Sequence, residues 1–179
     1  MDAAARYRRV AAELTRRVDA VPASAWDNPA PCEGWRARDV IGHLVGWIPG
    51  TVLDGTWLQG ADADVDPVGA WHALDAALQG ALDDPASRAV ELDLPPGRMT
   101  RDRAIDMICT NDVLIHTWDL ARATGLDERL LEDEVEAMLG GIAPMDQALR
   151  ASGHYGPKVP VADDADAQTR QLAFLGRRP

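Results

Sequence analysis

The stretch Arg103 to Gly125, RAIDMICTNDVLIHTWDLARATG, decides the fold and the candidate site together. Ile105, Ile108, Cys109 and Leu120 recur at helical spacing along one side, and Gly125 follows as a helix stop. The same helix carries Asp112 and His116. Residues four apart on a helix share a face, with about 5–6 Å between Cβ atoms, so the carboxylate and the imidazole point together along the apolar stripe. A second stretch, Pro31 to Trp47, PCEGWRARDVIGHLVGW, puts His43 among Val40, Leu44 and Trp47 by the same spacing. Setting a carboxylate and two imidazoles against hydrocarbon is costly unless something pairs with them. One divalent cation shared by His43, Asp112 and His116 would satisfy all three. Helical bundles build metal sites in this way, from inward side chains on facing helices.

Each residue also has a plainer reading. His43 alone would serve as a core histidine bonded to a backbone carbonyl, and a D-x-x-x-H pair is equally a buried hydrogen bond that holds a helix. Asp119, three residues beyond His116, is placed either to accept the second N–H of a ligand imidazole or to pair with Arg122 or Arg38. In the first case it orients a ligand or takes part in acid–base work, which makes it the candidate catalytic residue. Cys109 can offer a thiolate or pack as a small hydrophobe. Cys32, in a Pro-rich loop, reads as packing. Trp35, Trp47 and Trp118 flank the site as pocket walls or as core, and His72 and His154 read as surface residues.

Outward from these stretches the chain reads as helix after helix. Residues 2–19 form an amphipathic first helix with Val10, Leu14 and Val18 on its seam. Val21 to Gly34 is an ordered, proline-rich loop, and a second helix is expected over 35–58, with a break at Pro49-Gly50. A surface connection over 60–69 leads to a helix over 68–82. The run ELDLP (91–95) is a candidate extended segment, because Pro95-Pro96-Gly97 forbids a helix there. Thr100 is a candidate N-cap for a helix running to Gly125. A further helix over 130–151 carries Pro144 as a kink, and a short one covers 166–174. Four long helices with looped connections predict an all-α bundle with an additional short helix and an irregular C-terminal tail.

Composition narrows the function classes. A chain of 179 residues is expected to form one domain, 1–179, with a continuous core. Its formal net charge of -11 argues against nucleic acid and anionic lipid, both of which call for Lys and Arg. Two cysteines are too few for a disulfide framework. The opening MDAAARYRRVAAELTRR lacks an apolar block, and no apolar run is long enough to span a bilayer, so the expected compartment is the cytoplasm. Phosphate loops, nucleotide fingerprints and nucleophile elbows are absent from the sequence. The expected partner is a small molecule, and homodimer and monomer are both left open.

The two quoted stretches, with the closing VPVADDADAQTRQLAFLGRRP, resemble the actinobacterial metal-binding proteins related to mycothiol-dependent maleylpyruvate isomerase, a branch of the DinB-like four-helix bundles. The shared pattern is Pro-Cys-x-Gly-Trp with Arg-Asp and His-Leu, then His-x-Trp-Asp-Leu-Ala. The resemblance implies a metal triad at His43, Asp112 and His116, a divalent ion with zinc first, and mycothiol as cosubstrate toward an electrophile. The isomerase has Glu where this chain has Asp112, and a C-terminal domain for which this sequence has no counterpart. The implied activity is therefore thiol transfer or isomerisation by a zinc-dependent enzyme. The alternative is a noncatalytic bundle that binds a metal or a small ligand.

Overall fold

The carboxylate of Asp2 accepts the Ala5 N–H at 2.7 Å and opens α1, Ala3–Val18. In the computed structural model, residues 2–54, 58, 61–95, 97–151 and 156–179 are described. Expectations that fall on His154 and on residues 55–57 and 59–60 lie outside them. The chain forms two units, residues 1–128 and 129–179.

The first unit is a four-helix bundle. After α1 come α2 (Ala37–Val52), α3 (Pro67–Asp83) and a last helix in three parts, α5 (Arg101–Ala104), a π-helical turn (Ile105–Cys109) and α6 (Thr110–Thr124). Between α3 and α5 stand a single turn, α4 (Pro85–Arg88), and a hairpin of β1 (Glu91–Leu94) with β2 (Gly97–Thr100). The hairpin is antiparallel and pairs Leu92 with Met99. α1 packs on α3 and α6, and α2 packs on the same two helices. The core is built from the buried Tyr7, Val10 and Leu14 of α1, Ile41, Leu44 and Ile48 of α2, Trp71, Leu74 and Leu78 of α3, and Ile105 and Val113 of the last helix. The Trp71 indole donates to Thr15 Oγ1 at 2.9 Å, which satisfies its buried N–H across the α1–α3 seam.

Several boundaries depart from expectation. α2 ends at Val52 rather than 58, and it runs through Pro49 without a break; the missing proline N–H costs one bond close to the helix end, where little remains to be lost. Its start is fixed by Asp39, whose carboxylate accepts the Arg36 N–H at 2.7 Å. The extended reading of ELDLP holds, but its partner strand over 97–100 carried no strand pattern. Thr100 sits at the N-cap position, yet its hydroxyl bonds Asp102 Oδ1 rather than the helix backbone.

The π-helical turn is the departure with consequences for the site. A wide turn takes up an extra residue, which rotates the helix after it relative to a uniform helix. Thr110 closes it, directing both its N–H and its hydroxyl (2.9 Å) at the Ile105 carbonyl. Arg6 of α1 braces it, donating to the Asp106 carbonyl at 2.6 Å and to Asn111 Oδ1 at 2.7 Å. A single stripe through Ile105, Ile108 and Cys109 therefore does not continue unchanged into α6. Ile108 is only half-buried, whereas Val113 to Ala121 is a buried run. α6 ends as expected at Gly125, which adopts φ 71° and ψ 24° and returns its N–H to Ala121.

The second unit is smaller. α7 (Glu132–Ile142) packs on α9 (Ala167–Phe174) through Val135, Met138 and Ile142 on one side and Leu172 and Ala173 on the other. Pro144 does more than kink the expected 130–151 helix. Lacking an N–H, it sits in a 3₁₀ turn, Ala143–Met145, that separates α7 from the short α8 (Asp146–Ala151). Asp166 caps α9 by accepting the Thr169 N–H at 2.9 Å. Among the described residues, no helix is long and apolar enough to cross a membrane.

Candidate metal centre

His43 comes from the middle of α2 and Asp112 and His116 from the first two turns of α6, and the packing of α2 on α6 brings them together. His43 Nε2 lies 3.1 Å from Asp112 Oδ2, and His116 Nε2 lies 3.5 Å from Asp112 Oδ1. The two imidazole rings stand edge to face with centroids 4.8 Å apart. One donor atom from each of the three residues lies within 4.8 Å of the other two. Nitrogen and oxygen ligands about 2.0–2.1 Å from a tetrahedral zinc stand about 3.3 Å from each other. The observed separations of 3.1 and 3.5 Å run to different oxygens of Asp112, and two imidazoles with one carboxylate are a donor set of the kind that holds a small divalent cation.

Burial and neighbouring charge act in opposite directions on these groups. Burial by itself would raise the Asp112 carboxyl, but the charge and hydrogen bonds of His116 and His43 outweigh it and hold the group below the usual carboxylate range. Burial likewise pulls His116 down, and Asp112 followed by Asp119 reverses this and pushes it up to about 9. His116 thus lies between two carboxylates that both favour its protonated form.

Asp119 is fully buried, and its Oδ2 lies 2.9 Å from His116 Nδ1, on the far side of the ring from Asp112. Arg122 bonds Glu128 at 2.7 Å and covers the Trp118 ring, and Arg38 pairs with Asp27 at 3.0 Å. Cys32 is half-exposed, with Sγ 3.7 Å from Asp119 Oδ2, so Cys32, His116 and Asp119 form a second group of close donors that shares His116. Cys109 is buried, its thiol pushed up by burial and then by Asp112, and it belongs to neither group. His72 is exposed and pairs with Asp19 at 2.8 Å.

The aromatic surroundings come from α2 and the loop before it. Trp35 lies 5.1 Å from the His43 ring and 5.9 Å from His116, stacked on the latter, and Trp47 lies 6.0 Å from His43. Trp118, two residues from His116, is buried. Trp47 makes the contact that periodicity did not reveal: its indole N–H donates to Asp112 Oδ2 at 3.0 Å. The i, i+4 spacing of His43 and Trp47 was the available signal, since it sets both over the same carboxylate.

Residues 7–90 match the model of the mycothiol maleylpyruvate isomerase N-terminal domain. An uncharacterized protein of Mycobacterium tuberculosis, from strains CDC 1551 / Oshkosh and H37Rv, is 30% identical over 177 residues, a match covering 88% of this chain and 87% of each relative. The chain belongs to the mycothiol maleylpyruvate isomerase N-terminal domain family. No solved structure matches it. The family match includes His43 and ends before Asp112 and His116, so the α6 half of the site rests on its geometry.

Proposed function

We propose that the protein binds one divalent cation, zinc first, through His43, Asp112 and His116, and uses it to activate a low-molecular-weight thiol for transfer to an electrophile or for isomerisation. The observation that carries this reading is the convergence of three donor atoms from two helices within 4.8 Å. Family membership points to mycothiol as the thiol. A divalent ion with three protein ligands keeps a position for an exogenous ligand and lowers the pKa of a thiol or water held there.

The chain's own residues have distinct parts. His43 and His116 supply nitrogen donors, and Asp112 supplies charge. Asp119 has no exposed surface, so its part is to orient His116 by holding Nδ1 and leaving Nε2 for the cation. Trp35 and Trp47 wall the approach with apolar surface suited to an electrophile. The test is conjugation of mycothiol to a panel of electrophiles by the zinc-loaded protein, read by mass spectrometry. Metal-dependent product that is lost in both His43→Ala and Asp112→Ala is expected. Product formed without the thiol would favour activated water, and stoichiometric metal with neither turnover nor thiol affinity would favour a noncatalytic binding bundle.

A further inference from the structure

Asp112 offers two oxygens, and their surroundings differ. Oδ1 faces His116 Nε2 at 3.5 Å, while Oδ2 is shared by His43 Nε2 at 3.1 Å and Trp47 Nε1 at 3.0 Å. The two neighbours of Oδ2 are not equivalent. The imidazole of His43 is a metal-ligand type and can exchange the carboxylate for a cation. The indole nitrogen of Trp47 is a donor only and has nothing to offer a cation. Its N–H would otherwise be a half-buried donor without a partner, so it has reason to stay on Oδ2.

Resting on the cation reading above, we infer that Trp47 is a positioning residue that fixes how Asp112 binds the cation. Its N–H occupies one lone pair of Oδ2 and draws charge from that oxygen, which favours Oδ1 as the ligand oxygen of Asp112. One-oxygen ligation leaves a coordination position for an exogenous ligand that a two-oxygen carboxylate would fill. Trp47 also restrains the rotation of the short Asp side chain, which pre-orders the site before the cation arrives. Hydrogen bonds behind metal ligands typically contribute about 10–100-fold in affinity.

Trp47→Phe removes the N–H and keeps most of the ring. Wild type and variant are titrated with cobalt(II) in competition with a chromophoric chelator, and the visible absorption of the bound ion reports coordination number. The variant is expected to bind one cobalt about 10–100-fold more weakly, with a weaker visible band as the freed Oδ2 joins the ion. Unchanged affinity and spectrum in the variant, with tight binding by the wild type, would overturn the role of Trp47 and leave the cation site standing. No uptake by the wild type would overturn both. In metal-free protein, the indole N–H resonance missing from Trp47→Phe should move upfield in Asp112→Ala; a signal that stays in place would contradict the hydrogen bond on which the inference rests.

Discussion

His116 Nδ1 lies 2.9 Å from Oδ2 of the fully buried Asp119, which places a carboxylate directly behind the imidazole whose other nitrogen faces Asp112. A carboxylate at this distance favours the ring orientation that turns Nδ1 toward Asp119 and Nε2 toward Asp112. Asp119→Ala should therefore weaken zinc binding about 10–100-fold. Asp119→Asn keeps an acceptor oxygen without the charge and should recover part of the loss. Competition with a chromophoric chelator measures both, and equal affinity in Asp119→Ala and wild type would contradict the orienting role.

The same ring makes metal-free stability depend on pH. The folded-state value of about 9 lies above the unfolded value of about 6.5, so the stabilisation is fully present below about 6.5 and is lost as pH rises through about 9. Thermal unfolding of chelator-treated protein should show a midpoint that falls across this window. Asp112→Asn, which removes the main partner, should flatten the slope. A wild-type midpoint that is flat from pH 6.5 to 9 would contradict the buried charge.

Zinc binding should release protons for the same reason, since His116 must be neutral to ligate. Below about pH 9 the apparent affinity should increase with pH. Calorimetry in two buffers of different ionisation enthalpy measures the protons released, and a heat independent of buffer at pH 7 would contradict the prediction.

Much of this was legible in the sequence for a simple reason. Asp112 and His116 share one regular helix after the π turn, where four-residue spacing reports a shared face faithfully. Val10, Leu14 and Val18 are all fully buried for the same reason. The π turn at Ile105–Cys109 was not legible. It depends on Arg6, about a hundred residues away, reaching the Asp106 carbonyl, and no local periodicity encodes that contact. Trp47 on Asp112 is likewise a meeting of two helices, visible only once α2 is packed on α6. Strand β2 was hidden because GRMT is too short and mixed to alternate.

Helix α6 closes on Gly125 in the left-handed region, with open space where a Cβ would stand. Gly125→Ala should thus cost about 1–2 kcal/mol through backbone strain alone. Urea denaturation measures it. Zinc stoichiometry should be unchanged, because the site lies more than two turns away along the helix; a variant as stable as wild type would contradict the cap.

The central claim is that His43, Asp112 and His116 together hold one divalent cation. Titration of chelator-treated protein with zinc, read as bound metal per chain by elemental analysis after desalting, tests it most directly. The account predicts one zinc per chain in the wild type and in His72→Ala, and substoichiometric zinc in His43→Ala, Asp112→Ala and His116→Ala. A wild type that stays empty, or a His43→Ala variant that still holds one zinc, would contradict it.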